Sequence, residues 1–161
     1  MQTFSVWSES VEQTDRLARA LAPHLLPGSA LCLLGDLGAG KTRFVASLCE
    51  ALGSAAAVAS PSFTLENRYP IPGRAGEFVH LDLYRPGEAG DPMLLASALE
   101  ARDAGAIVAV EWGAPWGEAL RPCLRIEFLV EEGRREIRFT PDPAGWRPFE
   151  RLRAAWEAVG P

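Results

Sequence analysis

Lysine is almost absent from this chain. Of its sixteen cationic side chains fifteen are arginine, and the one ammonium group belongs to Lys41. A compact point charge was therefore kept at a single position while planar guanidinium groups serve everywhere else. Cysteine is scarce too: Cys32, Cys49 and Cys123 are odd in number and far apart in sequence. They fit neither a disulfide framework nor a zinc-ligand spacing and read as small core hydrophobes. Long apolar runs are missing, so no segment is expected to span a bilayer. Met1-Gln2-Thr3-Phe4 lacks the basic and apolar regions of a signal peptide, which makes the cytoplasm the expected compartment. Excess positive charge is missing as well. At a net charge of −5 the chain is not expected to bind DNA, and RNA would be contacted only jointly with a partner, because autonomous binding leans on phosphate neutralisation. With 161 residues, 48% of them hydrophobic, one domain over 1–161 is predicted.

What is present centres on that lysine. Gly35-Asp36-Leu37-Gly38-Ala39-Gly40-Lys41-Thr42 matches G-x-x-x-x-G-K-[ST] in full, the pattern in which a glycine-rich turn cradles phosphates and the lysine reaches the β- and γ-phosphates. The context agrees. Ala30-Leu31-Cys32-Leu33-Leu34 is a short continuous apolar run, as in a parallel strand covered on both faces. After Thr42, the residues Phe44, Val45, Leu48, Cys49 and Leu52 recur at helical spacing, and Gly53 stands where a glycine ends a helix. A loop feeding a helix N-terminus makes a nest of backbone N–H groups for a polyphosphate, with Asp36, Leu37, Gly38, Ala39, Gly40, Lys41, Thr42 and Arg43 as the binding set and the Thr42 hydroxyl placed for Mg²⁺. This predicts a nucleoside triphosphate site. Guanine is normally read through an N-K-x-D segment, which a chain with its only lysine in the phosphate loop cannot contain, and no L-S-G-G-Q signature is present. ATP is the expected nucleotide.

Elements alternate along the rest of the chain. Thr3 to Val6 reads as a first strand, and Ser10-Val11-Glu12-Gln13 has the S-x-x-Q form of a capping box opening a helix with Val11, Thr14, Ala18 and Leu21 on one face. Ser60 to Tyr69 is polar and interrupted, and Pro70 to Gly76 reads as a turn. Asp91-Pro92-Met93 predicts an N-cap followed by proline at the first helical position, with Leu94, Leu95, Ala98 and Leu99 forming an apolar face. Leu124 to Val130 and Glu136 to Phe139 flank Glu132-Gly133-Arg134 as an antiparallel hairpin. A last helix carries Trp146, Phe149, Leu152 and Trp156 as a packing stripe. The fold class that follows is α/β: a P-loop NTPase-like three-layer sandwich, mostly parallel, with a C-terminal antiparallel hairpin.

Two predicted strands run into a carboxylate. Phe78-Val79-His80-Leu81-Asp82 and Ala106-Ile107-Val108-Ala109-Val110-Glu111 should both point their acids at the phosphate loop, since ligands gather outside the carboxyl ends of strands in open α/β sheets. One acid can hold Mg²⁺ while the other orients or deprotonates the attacking water. Lys41, Asp82 and Glu111 are thus the candidate catalytic residues, and Thr42, Asp82 and Glu111 the candidate metal ligands. His80 reads as a strand histidine hydrogen-bonded locally, because no neighbour in sequence pairs with it. An alternative is a P-loop small-molecule kinase with Arg68, Arg74, Arg85 and Arg102 as a lid over an acceptor.

Taken in order, the phosphate loop, Ser60-Pro61-Ser62-Phe63-Thr64-Leu65, His80-Leu81-Asp82-Leu83-Tyr84-Arg85 and Val110-Glu111-Trp112-Gly113 resemble the TsaE (YjeE) ATPases over nearly the whole chain. The resemblance implies ATP hydrolysis supporting threonylcarbamoyl transfer to the adenosine beside the anticodon of tRNAs reading codons that begin with A. The transfer itself would belong to the partners TsaD and TsaB. It further implies Lys41 on the phosphates, Thr42 and Glu111 at Mg²⁺, Asp82 near the metal and the attacking water, and Ser60 to Thr64 as a nucleotide-sensitive switch. Trp112 would lie beside the nucleotide, with Val11, Thr14, Gly133 and Arg134 as candidates for the adenine. The chain departs from the family pattern at Ser62, where threonine is common and the hydroxyl is kept, at Gly113, where proline is common, and at Pro86, where leucine is common.

Overall fold

The computed structural model describes residues 3–61, 63–73, 76–84, 91–141 and 148–159. Its strands are β1 (Phe4–Ser8), β2 (Ala30–Gly35), β3 (Glu66–Ile71), β4 (Gly76–Asp82), β5 (Ile107–Glu111), β6 (Leu124–Glu131) and β7 (Arg134–Pro141); its helices are α1 (Val11–Leu21), α2 (Lys41–Ala51), α3 (Pro92–Asp103) and α4 (Pro148–Val159). The strands form one sheet in the order β1-β7-β6-β2-β5-β4-β3. Its centre is parallel, β2 pairing with β5 and β6 and β4 with β5. Both ends are antiparallel, through β1–β7, β6–β7 and β3–β4.

Alternation along the central strands separates two cores. Leu31 and Leu33 of β2 face Phe44 and Leu48 of α2, together with Leu17 and Leu21 of α1 and Phe149 and Leu152 of α4. Cys32 of β2, Val79 and Leu81 of β4, and Val108 and Val110 of β5 face Ala98 and Ala101 of α3. The result is three layers, helix, sheet and helix. Partly buried Trp156 joins the first core, while Trp146 of the predicted stripe lies outside the described residues. Cys32 and Cys123 meet in the second core with their sulfurs 3.8 Å apart, both as free thiols. The contact with Cys123 and burial hold the Cys32 thiol far above its usual range, and burial pushes Cys49 up to about 12, so these are inert, apolar-like groups.

Local signals account for most boundaries. Ser10 caps α1 by accepting from the Gln13 amide, but Gln13 Oε1 reaches past Ser10 to accept from the Glu9 amide at 2.6 Å. Asp91 caps α3 through the Met93 amide with Pro92 at the first position. Glu132 and Gly133, at φ 47° and 84°, form the two-residue turn of positive φ that matches hairpin twist.

Three expectations are corrected. Ser60 to Tyr69 and the Pro70–Gly76 turn conceal β3, which pairs along β4 from Glu66 to Ile71. Pro70 is compatible with a strand there because β3 has a neighbour on one side only; buried Tyr69 and Ile71 alternate with exposed Pro70. Val11 does not join the buried face of α1, being 45% exposed, and that face is formed by Thr14, Asp15, Leu17, Ala18 and Leu21. His80 has no local partner: its hydrogen bond crosses to β5. Among the described residues no helix is long and apolar enough to cross a membrane.

Gly35, at the end of β2, is fixed by sterics. At φ 140° a Cβ there would lie 2.5 Å from the Phe128 carbonyl oxygen of β6. Gly35→Ala is expected to destabilise the fold by about 1–3 kcal/mol, read as a lower denaturant midpoint at unchanged slope. An unchanged midpoint would mean that β2 and β6 can part without cost.

Candidate functional site

The carboxyl ends of β2, β4 and β5 open on a cleft of about 190 Å³ lined by Leu37, Gly38, Gly40, Lys41, Thr42, Arg43, Ser60, Asp82, Tyr84, Glu111 and Trp112. The loop before α2 turns because Gly38 and Gly40 sit at φ 78° and 107°, a region that costs side-chain-bearing residues energy. The Ala39 amide donates to the Asp36 carbonyl at 3.1 Å and the Phe44 amide to the Gly40 carbonyl at 2.9 Å, so the loop passes directly into helix.

Lys41 is almost fully buried. Its ammonium donates to the carbonyls of Gly35 at 2.6 Å and Asp36 at 2.9 Å and lies 4.3 Å from the centroid of the Trp112 ring. Burial lowers its pKa, against the opposing pull of Glu111, Asp82 and Asp36. Trp112 adopts φ 59°, a strained conformation costing on the order of 1–3 kcal/mol. It is held there by its amide donating to the Leu33 carbonyl at 2.9 Å and by the Tyr84 ring, centroids 5.2 Å apart.

The two strand-end acids stand side by side: Asp82 and Glu111 are directly opposite in the β4–β5 register, and both are buried. Burial raises the Asp82 pKa; the Tyr84 amide, which donates to Oδ1 at 3.0 Å, opposes this, and the neighbouring Glu111 charge adds to it. The Ser60 hydroxyl lies 3.5 Å from Asp82 Oδ2. Glu111 Oε1 accepts from the Thr42 hydroxyl at 2.7 Å and bonds His80 Nε2 at 2.8 Å. Two carboxylates and a hydroxyl converging at one place are hard oxygen donors that suit Mg²⁺. Among the described residues no group of three histidine, cysteine or carboxylate side chains comes together as a metal cage.

The remaining predicted residues are dispersed. Ala39 is buried beneath the loop. Arg43 borders the cleft, but its Nε donates to Asp15 Oδ1 at 2.9 Å, and Ser47 donates to the same oxygen at 2.6 Å, tying α2 to α1. This partnership holds the Asp15 carboxyl below its usual range. Val11, Thr14, Gly133 and Arg134 do not line the cleft. The Thr14 hydroxyl is engaged with Ser8 and the Ser10 carbonyl, and the Arg134 guanidinium stacks 4.1 Å from the Trp7 ring centroid. Of the arginines proposed as a kinase lid, Arg68 is bound to Glu66, Glu77 and Ser97, and Arg102 to the carbonyls of Leu120 and Arg121. Arg74 and Arg85 lie outside the described residues, as do Ser62 and Pro86.

Sequence reasoning missed three participants. Tyr84 packs on Trp112, His80 holds Glu111, and Arg135 of β7 donates from Nε to the Ala39 carbonyl at 2.9 Å. The first stood in plain view inside Asp82-Leu83-Tyr84. The contact of Arg135 depends on a hairpin nearly a hundred residues downstream of the loop, and no local pattern signals it.

Comparison with known proteins gives a consistent answer. Residues 8–137 match the sequence profile of the family described as threonylcarbamoyl adenosine biosynthesis protein TsaE. The chain is 38% identical over 135 residues to the tRNA threonylcarbamoyladenosine biosynthesis protein TsaE of Aquifex aeolicus, covering 81% of this chain and 90% of that one. It is 33% identical to the protein of the same name from Bacillus subtilis, covering 80% of each. A crystal structure of Bacillus subtilis YdiB superposes with a TM-score of 0.77 at 28% identity, over 95% of both chains.

Proposed function

The chain belongs to the TsaE family, and on that premise we propose that it binds and hydrolyses ATP with Mg²⁺ to support tRNA threonylcarbamoyladenosine biosynthesis in the cytoplasm, acting with TsaD and TsaB. The observation that carries this reading is the convergence of Lys41, Thr42, Asp82 and Glu111 on one cleft from three separate strand ends. In this reading the loop amides between Gly38 and Thr42 hold the phosphate chain, and the Lys41 ammonium leaves the Gly35 and Asp36 carbonyls to bridge β- and γ-oxygens. Thr42 and Glu111 would hold Mg²⁺, which when bound would offset charge developing on the transferred phosphoryl group. Asp82, whose buried carboxyl has a raised proton affinity, orients the attacking water and can take up its proton. Trp112 and Tyr84, their rings in contact, form one side of the cleft. The tRNA would be contacted only within the complex, in keeping with the acidic chain.

The same site offers a route from nucleotide to partner. Ser60 lies beside Asp82, the Leu65 carbonyl accepts from the Asp82 amide at 3.1 Å, and Thr64 donates to Asn67 Oδ1 at 2.7 Å. A γ-phosphate held by the loop and Lys41 would sense, through the water at Asp82, a segment that displays Phe63, 91% exposed, to a partner. We expect a non-hydrolysable ATP analogue to tighten binding to a TsaD–TsaB complex, and that complex to tighten nucleotide binding by the same factor, about 5- to 150-fold. Thr64→Ala should weaken this coupling more than it weakens nucleotide binding. Titrations of the analogue with and without TsaD–TsaB, followed by Trp112 fluorescence, measure both directions. Identical affinities would remove nucleotide-controlled assembly, and ATP consumption that required a small-molecule acceptor would overturn the ATPase reading.

A further inference from the structure

We infer that His80 is a positioning residue for the metal site: it holds the Glu111 carboxylate in the orientation that receives Mg²⁺, an inference that rests on the nucleotide-binding reading above. His80 is fully buried on β4, on the sheet face covered by α1, α2 and α4, two residues before Asp82 and on the same side of the strand. Its register partner on β5 is Ala109, a small residue that leaves room for the imidazole to lean diagonally toward Glu111. Nε2 then reaches Glu111 Oε1 at 2.8 Å, the same oxygen that accepts from Thr42 at 2.7 Å. Nε2, facing a carboxylate, is the donor of this bond, and among the described residues Nδ1 has no partner.

That orphan nitrogen is what separates a positioning role from packing. Buried polar atoms are normally satisfied, and an apolar side chain, such as the Phe78 two residues earlier on the same face, would fill the space without leaving one. Among the described residues the imidazole leaves Nδ1 unpaired, and the bond it does make goes to a prospective metal ligand. Anchoring Oε1 from Thr42 and His80 restricts the rotation of the carboxylate, and among the described residues no hydrogen bond engages Oε2. Partners of metal ligands act in this way, and their loss typically weakens metal affinity or activity by about 10- to 100-fold.

Two amide replacements distinguish the roles, since both are polar and differ in which imidazole nitrogen they imitate. The glutamine amide in His80→Gln can occupy the place of Nε2 and still donate to Glu111, whereas the shorter His80→Asn imitates Nδ1 and cannot reach. Affinity for a non-hydrolysable ATP analogue is measured across a Mg²⁺ titration and again in EDTA, with the thermal unfolding midpoint of each variant. The expected result for His80→Asn is a Mg²⁺ midpoint raised by about 10- to 100-fold with affinity in EDTA close to wild type, while His80→Gln stays near the wild-type midpoint. If the two variants share the wild-type midpoint, or shift equally, His80 is a packing residue and the inference fails. If wild-type protein itself binds the analogue without any effect of Mg²⁺, the metal-dependent reading of the site fails, and the His80 role with it. Should His80→Asn not fold, His80→Gln decides alone: a midpoint raised as far as 10-fold in a folded protein overturns the role of the Nε2 donor.

Discussion

Lys41→Arg is expected to lose about 10²- to 10³-fold in ATP turnover, although it conserves charge and follows the choice made at every other cationic position in the chain. The reason is the shape of the enclosure. The ammonium occupies a space bounded by two carbonyls at 2.6 and 2.9 Å and by the face of Trp112. A compact group with three rotatable donors can swing from those carbonyls to a phosphate, but a planar guanidinium is longer and rigid. It would either displace Trp112, whose strained backbone depends on its present packing, or remain outside the nest. Single-turnover hydrolysis of Lys41→Arg beside Lys41→Ala isolates the effect of shape: the two should be nearly equally impaired. Turnover of Lys41→Arg near wild type would remove the phosphate-loop assignment.

The second large effect is expected at the paired acids. Asp82→Ala and Glu111→Ala should each lower hydrolysis by about 10²-fold or more while the protein stays folded. For Asp82 the sign of the stability change can be stated as well. Its carboxyl pKa is raised by burial, so ionisation is harder in the folded chain than in the unfolded one. The charged form therefore costs stability above that raised pKa, and the cost disappears as pH falls through it. Asp82→Asn should accordingly leave the thermal midpoint at neutral pH unchanged or higher while hydrolysis collapses. Glu111, by contrast, anchors half-buried Thr42 and fully buried His80, and its removal leaves both donors without their acceptor. Loss of activity at only one of the two positions would mean that the other acid is structural and that the paired reading is wrong.

Much of the site could be read directly because its chemistry is local. Seven consecutive residues from Gly35 to Lys41 carry the turn, the glycine φ values and the ammonium, and the strand before them and helix after them announce themselves by period. Asp82 and Glu111 were legible for a related reason: an apolar run ending in an acid must deliver that acid to a sheet edge. What failed was local in appearance only. β3 was hidden because Pro70 and the polar residues around it describe a loop anywhere except at a sheet edge. Val11 matched the helical period of α1 yet faces solvent, since period gives a stripe and not the width of what covers it.

The sequence by itself determined that this chain carries a glycine-rich G-x-x-x-x-G-K-T loop between a strand and a helix, that its elements alternate as in an α/β sheet, and that two acids end strands, because each of these depends on neighbours a few residues away. Only the tertiary structure decided the relations across the sheet. The β4–β5 register sets Asp82 opposite Glu111 and brings His80 within 2.8 Å of it. The hairpin brings Arg135 to Ala39, α1 and α2 join through Asp15 and Arg43, and Cys32 meets Cys123. Register and packing depend on pairings between residues dozens to nearly a hundred positions apart, and such pairings are fixed by the burial of whole faces, which no window of the sequence contains.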